Sequence, residues 1–146
     1  FFTMNRPKSH IERLRMSGLR PTKQRLTISK ILFDRKETFH FTIDNLKKIT
    51  EKNCKKNISL ATLYNTVHAF KRKGYLKEIS IKGNKAYFDT NTKNHHHFYD
   101  EDTLELIDIK NENLLLSNMP KVPNGKKIKK IDVTIRVASN NQKQKK

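Results

Sequence analysis

The run Asn94-His95-His96-His97-Phe98-Tyr99-Asp100-Glu101-Asp102, followed by Glu105 and Asp108, is where this chain concentrates side chains able to do chemistry. No Lys or Arg falls between His95 and Asp108. Imidazoles and carboxylates are the donors that borderline and hard transition-metal ions take up, so the run reads as a metal or haem site. Phe98 and Tyr99 favour an extended backbone, in which residues two apart share a face. His95 and His97 then project together, with His96 on the opposite side. A solvated polar connection that happens to hold three histidines is the alternative, and spacing alone leaves it open.

The rest of the chain bounds what such a site belongs to. Its 146 residues, 34% hydrophobic and 8% aromatic, suffice for one ordinary domain or two very small ones with modest cores. No apolar run approaches the roughly 18 to 20 residues that span a bilayer, and Phe1-Phe2-Thr3-Met4 is too short for a signal-peptide core. A soluble, cytoplasmic protein with no membrane partner is expected. Cys54, in the Lys-rich stretch Lys52 to Lys56, is the only cysteine. An intrachain disulfide and a multi-thiolate zinc site within one chain are therefore excluded, and Cys54 reads as an incidental thiol.

The formal net charge is +18, as expected of a nucleic-acid binder. A skew toward Lys, Asn and Ile, with only four Ala and four Gly, discounts that total, so the distribution carries more weight. Residues 1–94 hold 22 basic and 7 acidic side chains, whereas residues 95–108 hold 5 acidic side chains and no Lys or Arg. A basic N-terminal part precedes an acidic, histidine-bearing one.

The elements that must position these groups follow from periodicity. Ile11 to Met16 reads as a short helix ended by Gly18. Pro21 disfavours helical geometry at Arg20, and Thr22 caps a second helix whose apolar side is Leu26, Ile28, Ile31, Leu32 and Phe33, up to about Arg35. Thr42 caps a third, with Asp44 in its first turn and Ile43, Leu46 and Ile49 at helical spacing. Ser59 caps a fourth, in which Leu60, Leu63, Tyr64, Val67 and Phe70 form the apolar stripe and Gly74 is the stop. Tyr75 to Ile81 and Lys85 to Asp89, joined by Lys82-Gly83-Asn84, read as a hairpin. Three helices followed at once by a hairpin are the order of a winged helix-turn-helix domain. Farther on, Phe98 to Glu101 pairs with Leu104 to Ile109, Asn111 to Asn118 forms a short helix, and Ile131 to Val137 alternates as a half-buried strand. Ser139 to Lys146 is a polar tail expected to be disordered.

Ser59-Leu60-Ala61-Thr62-Leu63-Tyr64-Asn65 resembles the recognition helix of the ferric uptake regulator family, similar to S/G-L-A-T-V-Y-R/N. Gly18-Leu19-Arg20-Pro21-Thr22-Lys23-Gln24-Arg25 resembles that family's G-L-R/K-x-T-x-x-R opening, in the same order. The resemblance runs from about Leu14 to Val137. Within the family, His95-His96-His97-Phe98-Tyr99 followed by Leu106-Ile107-Asp108-Ile109 looks most like the iron response regulator branch, whose triple His is associated with haem. The resemblance implies an α+β protein: a winged-helix DNA-binding domain over residues 1–90, a hinge at 91–94, a small α/β dimerisation and metal- or haem-sensing domain over 95–138, and a tail at 139–146.

Position by position, the resemblance implies a regulatory divalent metal (iron, manganese or zinc) on His40, Asp89, His95, His97 and Asp108, or haem on His95, His96 and His97. Ligands drawn from both domains would couple occupancy to domain orientation. The family's C-x-x-C pair for structural zinc is matched here by Asp100 and Thr103, so that zinc is expected to be absent. No His follows His97, which removes a second metal site of the dimerisation domain. His10 and His68 have no ligand partner suggested by the sequence, and neither is assigned to a site.

The same resemblance makes Tyr64 and Asn65 the base contacts in the major groove, where an aromatic edge packs on thymine methyls and an amide reads adenine. Ser59 and Thr62 would serve phosphates, and Arg20 an A/T-rich minor groove. Spacing alone reads Tyr64 equally as a core aromatic. The expected protein is a homodimeric transcriptional regulator of iron or haem homeostasis on an A/T-rich palindrome in double-stranded DNA, dimerised through Ile131 to Val137, since two symmetric helices read both half-sites. A nonspecific basic nucleic-acid-binding protein is the alternative. An enzyme is not expected: there is no H-E-x-x-H run and no activated Ser or Cys arrangement.

Overall fold

A computed structural model describes residues 6–53, 57–81, 83 and 85–140. Cys54, the segment Phe1 to Met4, Lys82 and Asn84 of the hairpin turn, and residues 141–146 of the expected tail lie outside the described residues. The chain divides into two units, residues 1–92 and 93–146.

The first unit runs α1 (His10–Met16), α2 (Lys23–Phe33), β1 (His40–Phe41), α3 (Ile43–Asn53), α4 (Leu60–Lys73), β2 (Lys77–Ile81) and β3 (Lys85–Asp89). Each helix begins where a hydroxyl can satisfy the free N–H groups of its first turn. The Ser9 hydroxyl accepts from the Glu12 N–H at 3.1 Å and Thr22 from the Arg25 N–H at 3.3 Å. At α3 the cap is reciprocal: the Asn45 N–H donates to Thr42 Oγ1 at 3.1 Å, and the Thr42 N–H donates to Asn45 Oδ1 at 3.0 Å. That is a capping box with an amide in place of Glu or Gln. Gly74, at φ 93°, closes α4 in the left-handed conformation that only glycine adopts at little strain.

Leu14, Ile28, Leu32, Leu46, Leu63, Val67 and Phe70 from the helices and Phe41, Leu76 and Phe88 from the strands and their approaches form the core of this unit. The apolar stripe expected on α4 is narrower than the sequence suggests. Leu63, Val67 and Phe70 are buried, but Leu60 and Tyr64 are each 47% exposed. These two share a flank of the helix, one turn apart, beside the stripe that meets α2 and α3. The second helix stops at Phe33 because Asp34 leaves helical geometry; the Arg35 guanidinium then lies 3.6 Å from the centre of the Phe39 ring. The short strand β1, too brief to show a period, was not expected. It pairs antiparallel with β3, which also pairs with β2, so the sheet order is β1-β3-β2.

The second unit holds β4 (His96–Asp100), β5 (Glu105–Ile109), one 3-10 turn (Asn111–Asn113) and β6 (Thr134–Val137). Its sheet has β4 at the centre, antiparallel to β5 and parallel to β6. The helix expected over Asn111 to Asn118 reduces to the 3-10 turn. Leu115 is 87% exposed, Leu116 45%, and Asn118 sits at φ 53° shortly before Pro120, so among the described residues Leu115 and Leu116 have no packed face to hold a helix. The strand expected from Ile131 starts only at Thr134. Ahead of it the Val133 N–H donates to the His96 Nδ1 at 3.0 Å, so a side chain takes the place of a ladder partner. Ser139 is not free tail: its N–H donates to the Asp102 carboxylate.

Candidate functional site

In the second unit the β4–β5 register sets His97 opposite Asp108. Directly paired residues share a face, and the His97 Nε2 lies 3.2 Å from Asp108 Oδ1. His95, one residue before the strand, is on the same side: its Nε2 lies 3.1 Å from that same oxygen, and the two imidazoles are 4.3 Å apart between centroids. Both histidines are buried while Asp108 is exposed. His96 points elsewhere and accepts from Val133.

Hydrogen-bond chemistry shows which nitrogen of His95 is turned to the carboxylate. The His95 Nδ1 lies 2.6 Å from the Lys93 carbonyl. A carbonyl only accepts, so Nδ1 carries the proton and donates. In a neutral imidazole Nε2 is then a bare lone pair, and it faces another acceptor, the Asp108 carboxylate. A cation held between them would be ligated by both. Fixing one ring nitrogen on a backbone carbonyl is also how proteins orient a histidine that binds metal through the other. The donor set fits a divalent ion.

The first unit holds a histidine–carboxylate pair of its own. β1 and β3 set His40 opposite Asp89, and the His40 Nε2 lies 3.1 Å from Asp89 Oδ2. Asp89 is completely buried, and its other oxygen accepts from the Asn91 N–H at 2.8 Å. A buried carboxylate needs hydrogen bonds and a counter-charge, and a protonated histidine or a metal ion supplies the latter.

The positions at which the resemblance places a C-x-x-C pair form a turn instead. Asp100 Oδ1 accepts from the N–H groups of Asp102 at 2.9 Å and Thr103 at 3.2 Å. This Asx turn closes the β4–β5 hairpin, and Leu104 follows at φ 62°.

On α4, the Ser59 hydroxyl caps the helix through the Thr62 N–H at 3.2 Å and lies 2.9 Å from Thr62 Oγ1. Tyr64 and Asn65 are exposed, and Tyr64 stacks on His68 with centroids 5.9 Å apart. Arg20 is exposed at the turn before α2, where its carbonyl accepts from Arg25. Sequence reasoning missed two histidines. His10 joins α1 to α2 through Ser29 Oγ at 2.7 Å and Asp34 Oδ1 at 2.8 Å, and His68 packs between Tyr64 and Phe88. The Tyr64–His68 stack is an i,i+4 neighbour pair on one helix, whereas the contacts of His10 with Ser29 and Asp34 and of His68 with Phe88 span sequence separations that leave no local signal.

The fold is that of the ferric uptake regulators. The ferric uptake regulator from Pseudomonas aeruginosa, solved with manganese, superposes with a TM-score of 0.64 at 20% identity over 90% of this chain and 98% of that one. The Vibrio cholerae ferric uptake regulator does so with a TM-score of 0.64 at 21% identity, over 88% of this chain and 98% of that one. Residues 16–137 match the model of the ferric uptake regulator family, and the chain belongs to that family. A peroxide-responsive repressor, PerR, of Staphylococcus aureus strain Mu50 is 35% identical over 98 residues, 67% of this chain and 64% of that protein's length. The match thus spans just under two thirds of that relative.

Proposed function

We propose that this protein is a metal-responsive, sequence-specific transcriptional regulator, a repressor that binds double-stranded DNA as a homodimer and is not an enzyme. The observation that carries the sensory half is the pair of imidazoles, His95 and His97, turned with Asp108 into one acceptor-lined group, with the His95 proton fixed on Lys93. His40, Asp89, His95, His97 and Asp108 together ligate one divalent ion in this reading. Bound there, the ion would neutralise carboxylates and occupy imidazole lone pairs, so holo and apo protein differ in which arrangement they favour. Residues 1–90 bind DNA, 91–94 act as the hinge and 95–138 dimerise, all in the cytoplasm.

On the DNA side, Tyr64 and Asn65 read bases, Ser59 and Thr62 meet phosphates, and Arg20 enters the minor groove of an A/T-rich palindrome. The support is exposure: Tyr64, Asn65, Ser59 and Arg20 are accessible on a helix and a turn that the core holds in place.

A divalent metal fits better than haem, because three donor atoms converge where an axial haem ligand needs only one or two imidazoles and a broad apolar slot. The run His95-His96-His97 still supports regulation of iron or haem homeostasis as in the iron response regulator branch. One titration separates the readings. Mn2+, Zn2+ or haem is added to the purified chain, and affinity for an A/T-rich palindrome is compared with that for a scrambled duplex. Specific binding that tracks metal supports the proposal, whereas equal binding to both duplexes in every state would leave only a nonspecific basic protein.

A further inference from the structure

We infer that His68 is a positioning residue that ties the His40–Asp89 pair to the ring of Tyr64. This rests on the reading of His40 and Asp89 as metal ligands and of Tyr64 as a base contact. The geometry begins in the register of β1 and β3, which pairs His40 with Asp89 and Phe41 with Phe88. Neighbours along a strand face opposite ways. The two ligands therefore share one face of the strand pair, and the two phenyl rings share the other.

Phe41 and Phe88 are each 1% exposed and stack with centroids 5.6 Å apart. The Phe88 ring meets His68 edge-on at 5.9 Å and 87°. His68 in turn lies nearly parallel to Tyr64, 5.9 Å away at 12°. Four rings thus run from the back of the ligand pair to the exposed face of α4, all inside one unit. Close-packed interiors pass on small displacements because no free volume absorbs them. Drawing His40 and Asp89 onto an ion shifts the strand pair, and the imidazole carries that shift to a half-exposed ring whose plane it holds.

A chain of contacts becomes coupling when both ends respond to one event. The test uses the full chain as wild type, His68→Ala and His68→Phe. Zn2+ binding is followed on the Tyr64 ring resonances by NMR. The Mn2+ dependence of affinity is measured on a duplex selected from a randomised A/T-rich palindromic pool. The expected result is that His68→Ala binds metal as wild type does, loses the Zn2+-induced change at Tyr64, and loses about fivefold or more of the metal-loaded to metal-free affinity ratio. His68→Phe, which keeps both ring contacts, retains them. If His68→Ala does not fold, His68→Leu, which fills the space without a ring, takes its place.

Two results overturn the inference: an unchanged ratio in a folded His68→Ala or His68→Leu protein, or a His68→Phe protein as deficient as the ringless one. Failure of the underlying reading looks different, since wild type itself would then show no metal dependence on any duplex.

Discussion

His97 stands directly across the β4–β5 ladder from Asp108, and its Nε2 lies 3.2 Å from the Asp108 carboxylate oxygen that also faces His95. The ladder therefore does more than hold the sheet: it fixes which imidazole meets which carboxylate. A slip of one residue would turn His97 to the other face and bring His96 in its place.

Replacing Asp108 by Asn keeps the shape but removes the charge. Because the amide donates to imidazole nitrogen where the carboxylate could not, the metal-free protein should melt no lower than wild type. Mn2+ affinity should nevertheless fall about tenfold or more. Isothermal titration and a thermal melt read the two effects separately; a parallel loss of both would mean Asp108 is structural.

Tyr64→Ala should reduce binding to the selected duplex by about 1–3 kcal/mol and leave binding to a scrambled duplex nearly intact. The slope of affinity against salt should stay unchanged, since no phosphate contact is removed. Equal losses on both duplexes would argue against base reading.

Phe70 and Leu60 belong to the same apolar pattern in the sequence yet differ in environment, one fully buried and the other 47% exposed. Phe70→Ala should cost about 3–5 kcal/mol of stability by urea unfolding. Leu60→Ala should stay within about 0.5 kcal/mol. Similar costs would show that something covers Leu60.

The Asx turn at Asp100 takes the place where a C-x-x-C pair would hold zinc. Prolonged chelation should leave the far-ultraviolet circular dichroism of the protein unchanged. Asp100→Ala, which strands two N–H groups in the turn, should cost about 1 kcal/mol. Unfolding on chelation would reveal another ligand set for a structural ion.

Hydrogen bonds from the Ser139 hydroxyl and backbone N–H hold the Asp102 carboxyl below its usual value. A depressed folded value means the tether contributes fully above the ordinary carboxylate range and is lost as pH falls through the lowered one. The Ser139 amide resonance should therefore move only in strongly acid solution, and Asp102→Asn should remove that transition. A shift near neutral pH would assign it to another group.

Much of this was legible from types and spacing. Thr22, Thr42 and Ser59 each begin a helix because a hydroxyl there meets a specific backbone donor, which is local chemistry. Alternation placed His95 and His97 on one side of a strand. The failures were of two kinds. Leu60 fits an apolar period, but its exposure is decided by what α2 and α3 cover, which no window on α4 contains; for Tyr64 the spacing left core and surface equally open. A helix is expected over Asn111 to Asn118, yet a helix is held by a packed face rather than by propensity, and Leu115 and Leu116 find none among the described residues. His10 found its partners, and His68 its contact with Phe88, only through the tertiary fold.

The arrangement of the second sheet also implies an order of assembly. β4 and β5 are joined by a tight turn, with Asp100 facing Glu105, whereas the His96–Val133 bond closes a separation of 37 residues. Short loops close at lower entropic cost than long ones. On refolding, the hairpin bearing His95, His97 and Asp108 should thus gain amide protection before β6 docks, measurable by pulsed hydrogen exchange. If the proposed five-ligand reading holds, a nascent chain would own three of its five metal donors while its last strand was still unpaired, and metal available at that moment would act on how the protein is made.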